Sequence, residues 1–226
     1  MRKIVLVLGL LVVAGTLGRG QRLMWQPDKD GVYSMGGAKL IQGLPATYPS
    51  DPSLAKVKHV VALRVVIGAD GTPGVIERVN AHASPFDDAA IAAVKASQFS
   101  PASYKGSSVP TRLILWVPFV GDPKLAVPMA ALAGVKGVSA PFPVNSVEAE
   151  FPEQARKDKV QTGMVLIHML VTDEGLPSDM RVLVPVGHGL DESALKAAGE
   201  YRFAPAKFHG VPVPQEITVE VNFEKY

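Results

Sequence analysis

The sequence contains one long stretch twice, and this internal repeat constrains the fold more than any other feature. Residues 48–119 (copy one) reappear as residues 151–223 (copy two), at an offset of 104 positions. Only the opening pair, Tyr48-Pro49 against Phe151-Pro152, lies one residue out. The matched pairs are Gly71/Gly175, Pro73/Pro177, Asp87/Asp191, Ala90/Ala194, Phe99/Phe203, Pro101/Pro205, Gly106/Gly210 and Phe119/Phe223. A repeat of this length indicates a duplicated domain, because the units of stacked solenoids are shorter.

The composition favours folded cores and excludes several classes of partner. Hydrophobic residues make up 47% of the 226 residues and charged residues 19%, which is typical of globular domains rather than disorder. The formal net charge is +2, with Lys and Arg scattered among Asp and Glu, so we expect no nucleic-acid partner. The absence of cysteine excludes disulfides, thiolate metal sites and a catalytic thiol.

The N-terminal segment, residues 1–20, is typical of a signal peptide. Arg2-Lys3 precedes an apolar run over residues 4–14, and small residues follow up to Gly20. This run is shorter than the roughly 20 residues that a membrane-spanning helix needs, so we expect cleavage and a periplasmic protein. A short inner-membrane anchor through residues 4–17 is the alternative.

The repeat and the composition together predict the domain boundaries. The stretch between the copies is rich in Gly, Ala, Val and Pro and has few charges, which is typical of a linker. We expect a first domain at residues 32–120, a linker at 121–140 and a second domain at 141–226.

Each copy predicts the same order of elements: helix, strand, strand, helix, strand. The first strand of each copy has alternating apolar residues; these are Val61, Leu63, Val65 and Ile67, matched by Val165, Ile167, Met169 and Val171. An Asp-Gly or Glu-Gly turn follows, since glycine accepts positive φ. Asp87 and Asp191 are predicted to be N-caps of the second helix.

This order predicts an α+β fold of two tandem αββαβ domains. A right-handed crossover places the third strand beside the first, so each domain has a three-stranded antiparallel sheet, order 2-1-3, packed on helices. The last strand, Thr111–Phe119 in copy one and 216–223 in copy two, then forms a sheet edge. Such an edge is a template for pairing with another chain.

The outward faces of the two last strands differ. Copy one has Arg112, Ile114, Trp116 and Pro118 where copy two has Glu216, Thr218, Glu220 and Asn222. An apolar outward face should not remain exposed. We therefore expect Ile114 and Trp116 to be covered by the other copy, by the linker or by a second chain.

Several motifs of copy two resemble the C-terminal domain of TonB-type energy transducers. They are Phe151-Pro152-Glu153-Gln154-Ala155-Arg156, Asp173-Glu174-Gly175, Gly189-Leu190-Asp191-Glu192-Ser193-Ala194, Tyr201-Arg202-Phe203-Ala204-Pro205-Ala206 and Gly210-Val211-Pro212-Val213. Copy one resembles the family more loosely, because it lacks the Glu-x-Ala-Arg helix. No long proline-rich spacer is present, which favours a soluble adaptor over a complete transducer.

The resemblance implies a periplasmic protein-binding module in TonB-dependent transport. Such a module takes an extended peptide of an outer-membrane receptor, or of another envelope protein, onto the edge of its last strand by β-strand addition. The candidate partner-binding residues are Phe151, Pro152, Gln154, Glu216, Ile217, Thr218, Val219, Glu220, Val221 and Asn222, with Ile114 and Trp116 in copy one.

The sequence contains no constellation that indicates an enzyme. The five histidines lack partners at ligand spacing, and the Asp87-Asp88 and Asp191-Glu192 pairs are explained by helix capping. We expect no catalytic residue, metal, cofactor or small-molecule substrate. The alternative function is a structural or assembly protein of the envelope, whose copies pair edge to edge or form a homodimer.

Overall fold

Alternating apolar residues form the central strand of an antiparallel sheet in each copy. The structure, a computed structural model, describes residues 6–7, 27–33, 37–120, 126–131 and 137–225. The chain divides into two units. The copy-one unit consists of Met24–Leu132 and Phe208–Val213, and the copy-two unit consists of Met1–Leu23, Ala133–Lys207 and Pro214–Tyr226.

Strands dominate the described residues. The strands are β1 (Leu6–Val7), β2 (Lys39–Gln42), β3 (His59–Ile67), β4 (Pro73–Arg78), β5 (Gln98–Ser100), β6 (Ala102–Tyr104), β7 (Ser107–Val109), β8 (Thr111–Phe119), β9 (Met129–Ala130), β10 (Val138–Ser139), β11 (Phe142–Asn145), β12 (Thr162–Val171), β13 (Pro177–Val182), β14 (Arg202–Ala204), β15 (Ala206–Phe208), β16 (Val211–Val213) and β17 (Gln215–Glu224). The helices are a 3-10 helix (Pro52–Lys56), α1 (Asp87–Ala96), α2 (Glu153–Lys157) and α3 (Leu190–Gly199).

The copy-one unit has a four-stranded sheet in the order β4-β3-β8-β9. Strand β3 is central and pairs antiparallel with β4 on one side and with β8 on the other. Its inward residues Val61, Leu63, Val65 and Ile67 have no exposed surface and belong to one core cluster with Ala90 and Val94 of α1. Short antiparallel ladders, β2 with β5 and β6 with β7, complete the unit.

The copy-two unit has a four-stranded sheet in the order β1-β17-β12-β13. Strand β12 is central, and its inward residues Val165, Ile167, Met169 and Val171 are fully buried in a core cluster with Ala194 and Ala198 of α3. Strand β11 pairs with β14 in a separate short ladder. Most of the predicted signal peptide lies outside the described residues, apart from Leu6–Val7.

The α+β class expected from the sequence is confirmed, and the three predicted strands of each copy lie in the order 2-1-3, but the expectation of only three strands in each of these sheets is wrong. Each sheet has a fourth strand, β9 or β1, which comes from outside the repeat and pairs with the last strand. The physical reason is that a strand at the edge of a sheet retains main-chain donors and acceptors that a nearby extended segment can satisfy.

The turn glycines explain part of the repeat pattern. Gly71 and Gly175 have φ values of 84° and 81°, in the left-handed region that favours glycine. A Cβ at Gly71 would lie 2.6 Å from the Phe99 carbonyl oxygen, and a Cβ at Gly175 would lie closer still to the Phe203 carbonyl oxygen. The glycine turn and the Phe-x-Pro segment therefore recur together in both copies because they pack against each other.

The prediction that Asp87 and Asp191 are N-caps is wrong. Both residues lie inside the first helical turn, and neither helix has a side-chain cap. The Asp87 carboxylate instead accepts from the Ser84 N–H at 3.1 Å, and the Asp191 carboxylate from the Gly187 N–H at 2.8 Å. Each carboxylate therefore fastens the preceding loop to its helix.

Candidate functional site

The outer edge of the last strand is the candidate site, and copy one shows which residues face it. The Arg112 N–H donates to the Tyr33 carbonyl at 2.9 Å, and the Ile114 carbonyl accepts from the Ala131 N–H at 3.0 Å. Alternate residues of an antiparallel strand turn their main-chain groups to the same side. The main-chain groups of residues 112, 114, 116 and 118 therefore point to the outer edge of β8, away from β3. Pro118 fits this alternation, because its missing N–H removes no bond to β3.

The outer edge of β8 is occupied by other parts of the copy-one unit. At one end Tyr33 forms a parallel bridge with Thr111, and the Arg112 guanidinium contacts the Asp28 carboxylate at 3.0 Å. The Val32 N–H, followed by the Asp30 N–H and Arg112, lowers the pKa of Asp28 below its ordinary value against the opposing effect of burial. At the other end β9 pairs antiparallel with Leu115 and Trp116.

The apolar outward face of β8 is covered. Ile114 is 6% exposed and Trp116 is not exposed at all. Strand β9 lies along this strand, the Phe208 ring lies 6.1 Å from the Trp116 ring, and β16 packs against β3. Strand β9, which lies in the predicted linker, and the segment Phe208–Val213 both belong to the copy-one unit and provide the expected cover. Ile114 and Trp116 are core residues in this structure.

The outer edge of β17 has a different neighbour. Its register against β12 repeats that of β8 against β3, with Thr218 opposite His168 as Ile114 is opposite Arg64. The equivalent residues of β17 therefore point their main-chain groups to its outer edge; they are Glu216, Thr218, Glu220 and Asn222. Strand β1 pairs there, Leu6 with Val219 and Val7 with Thr218.

The candidate side chains of β17 alternate between two environments. Ile217, Val219 and Val221 are at most 5% exposed and belong to the core cluster of the copy-two unit. Glu216 and Asn222 are exposed, and Thr218 and Glu220 are half-buried. Glu216 lies 3.5 Å from His168 Nε2 on the neighbouring strand. One face of β17 is therefore polar and reaches solvent, whereas the other is apolar and packs in the core.

Phe151, Pro152 and Gln154 precede or begin α2. Phe151 is half-buried, with its ring edge-on to Phe223 at 6.3 Å, so it meets the C-terminal end of β17. Pro152 is the N-cap of α2. Gln154 is exposed and donates to the Asp158 carboxylate at 2.9 Å. Hydrogen bonds from His188 and then from Gln154 lower the pKa of the Asp158 carboxyl. The structure places Phe151 against β17 and directs Gln154 to the residue that ends its own helix.

One buried polar residue of β17 is absent from the sequence prediction. Gln215, the first residue of β17, is 1% exposed, and within the described part of the chain neither Nε2 nor Oε1 has a hydrogen-bond partner. The available signal was the alternation itself, because Gln215 occupies the apolar phase that continues with Ile217 and Val219. It also aligns with Thr111 in the repeat.

The described residues contain no group of three or more His, Asp or Glu side chains placed to hold a metal ion. None of the helices in the described ranges has the length and apolar character needed to span a membrane.

Comparison with known proteins identifies the repeat. The family model described as Gram-negative bacterial TonB protein C-terminal matches residues 45–120 and again residues 147–224. No curated protein matches the chain. The two matches cover more than half of the sequence and coincide with the two copies. The chain therefore belongs to the TonB C-terminal family, of which it contains two tandem copies.

Proposed function

We propose that this chain is a periplasmic module that captures extended segments of outer-membrane receptors by β-strand addition to the outer edge of β17. Membership of the family links the chain to TonB-type transport in the cell envelope, and the family consists of interaction domains rather than enzymes. The observation that carries the proposal is that both last strands take an additional antiparallel strand at matching positions. Leu115 pairs with Ala130, and its repeat partner Val219 pairs with Leu6.

Strand addition suits the chemistry of this edge. The added chain would bond to the outward main-chain groups at Glu216, Thr218 and Glu220, which provides affinity without a catalytic residue. Alternate side chains of the bound segment would lie beside Ile217, Val219 and Val221, which favours apolar residues there. The bound segment would therefore be extended, with apolar residues at every second position.

Copy two is the better candidate for the receptor-binding edge. Among the described residues, strand β1 pairs with β17 over two residues, against ten in β17, so most of that strand extends beyond the pairing that the described ranges provide. In contrast, Tyr33 and β9 bond to both ends of β8. This occupancy also disfavours the alternative in which the two copies pair edge to edge.

The test is a titration followed by amide NMR, using protein recovered from the periplasm of expressing cells. The probes are synthetic extended peptides from the periplasmic plug ends of outer-membrane receptors of the same cell. We expect saturable shifts concentrated on residues 215–224, with smaller changes on 111–119. Shifts confined to other elements, or none at millimolar peptide, would overturn the proposal.

A matched pair of variants separates strand addition from other modes of binding. Thr218→Pro removes the outward N–H, and Pro118 in β8 indicates that a proline facing outward is compatible with the strand. Thr218→Ala changes the same side chain and keeps the N–H. We expect about tenfold weaker binding for the proline variant and nearly unchanged binding for the alanine variant. Equal affinities would show that the peptide does not bond to this edge.

A further inference from the structure

We propose that the Gln215 carboxamide anchors the main chain of the segment bound at the β17 edge. This inference rests on the proposed function and adds a residue to that site. Its Nε2 would donate to a carbonyl of the bound segment, and its Oε1 would accept an N–H. Both bonds involve main-chain groups, so the anchor would serve receptor segments of different sequence.

The first argument is the state of the side chain in the fold. Gln215 is 1% exposed, and both of its polar side-chain atoms lack a hydrogen-bond partner among the described residues. Burying an amide without partners is destabilising, and buried polar groups in proteins are nearly always satisfied. A residue that breaks this rule beside a binding edge points to a partner that arrives from outside the fold.

The second argument is the use that copy one makes of the same position. Thr111 is the repeat equivalent of Gln215 and is also 1% exposed. Its hydroxyl donates to the Tyr33 carbonyl at 2.9 Å. Tyr33 lies on the outer edge of β8, where its N–H and carbonyl bond to Pro110 and Arg112. At this position a side chain of the edge strand therefore bonds to the main chain of the neighbouring segment.

The third argument is the register of an added strand. Strand β1 places Val7 opposite Thr218 in an antiparallel pairing. An added strand that keeps this register has a residue opposite Gln215 three positions further along. Main-chain groups alternate along an antiparallel ladder, so the two residues that flank this residue turn their N–H and carbonyl groups toward β17. These are the groups that a carboxamide requires.

The experiment compares the wild-type protein with Gln215→Met, a side chain of similar length without hydrogen-bonding amide atoms. With the tightest-binding receptor peptide, we expect about tenfold weaker binding. The thermal midpoint should stay the same or rise, because the substitution removes from the interior an amide that has no hydrogen-bond partner within the described ranges. A lower midpoint would mean that the amide has a partner within the fold, such as a buried water, and would overturn the proposal.

Amide-to-ester substitution at each peptide position then locates the bond. An ester lacks the N–H of the amide that it replaces. At one peptide position the ester should weaken binding to the wild-type protein but not to Gln215→Met, and this difference is the interaction term of a double-mutant cycle. Additive losses at every position would contradict the anchor.

Thr111→Val is the matched control in copy one. It removes the hydroxyl that donates to Tyr33, so we expect a lower thermal midpoint and unchanged peptide affinity. Failure of every receptor peptide to bind would overturn the proposed function together with this inference. Peptide binding that Gln215→Met leaves unchanged would overturn the inference alone.

Discussion

Strands β8 and β17 hold the same place in the two copies and pair in the same register with their central strands, yet their outer edges differ. The edge of β8 is bonded to Tyr33 at one end and to β9 at the other. The edge of β17 pairs with the two-residue strand β1. A duplicated fold can therefore place different segments at the same edge of its two copies.

Side chains beside the edges follow the same division. Trp116 and Ile114 are buried beneath neighbouring segments of the copy-one unit, whereas their repeat partners Glu220 and Thr218 are half-buried. An apolar outward face requires a cover, and a polar outward face can remain in water. The composition of the outward face thus indicates which edge is closed.

Substitution of Trp116 should have the largest effect on stability of the changes that test this difference between the copies. Trp116→Ala removes a fully buried indole, so we expect the copy-one unit to lose about 3–5 kcal/mol of unfolding free energy. Glu220→Ala, at the equivalent position of copy two, should change stability by no more than about 0.5 kcal/mol. Native-state hydrogen exchange on each unit provides both values. Similar losses for the two variants would show that the faces do not differ in this way.

The two turn glycines, which both copies share, should differ in how much stability their substitution costs. Gly175→Ala and Gly71→Ala both place a side chain in the left-handed region, which costs about 1–2 kcal/mol. The Cβ would approach the Phe203 carbonyl oxygen more closely than the Phe99 carbonyl oxygen, so Gly175→Ala should be the more destabilising substitution. Thermal unfolding followed by amide signals of each unit tests the order. A larger loss at Gly71 would contradict it.

Opening the edge of β8 should have the smallest effect on stability. Ala131→Pro removes the N–H that donates to the Ile114 carbonyl, with an expected loss of about 0.5–1.5 kcal/mol. The Ile114 and Trp116 amides should then exchange faster, while Ala131→Ser keeps their protection. If occupancy is the main difference between the edges, receptor peptides should shift the β8 amides more in the proline variant than in the wild-type protein. Unchanged protection would show that β9 does not close this edge.

Local sequence patterns predicted much of the fold correctly. The last strand of copy one was expected at Thr111–Phe119, and the structure has it there. Alternation also identified the inward residues of β3 and β12, because a strand has a period of two residues and one of its faces packs on helices. Such signals are contained within a few consecutive residues.

The errors concern groups whose partners lie elsewhere. Asp87 and Asp191 carry a side chain suited to capping, but the place where each helix begins directs their carboxylates to the preceding loop. Strands β1 and β9 have two residues each, too few for any periodic signal. Gln215 continues an apolar alternation that indicates burial, but the lack of a hydrogen-bond partner among the described residues depends on its tertiary surroundings.

By itself, the sequence determined the duplication, the order of the main elements and the membership of the family, because repeats, periodicity and turn residues are properties of neighbouring positions. The tertiary structure decided which segment bonds to each outer edge, which outward face is covered and which buried amide has no hydrogen-bond partner among the described residues. These features depend on residues that are distant in the chain, such as Tyr33 with Thr111 and Met129 with Trp116. No local pattern specifies such pairs, because each forms only when the intervening chain has folded.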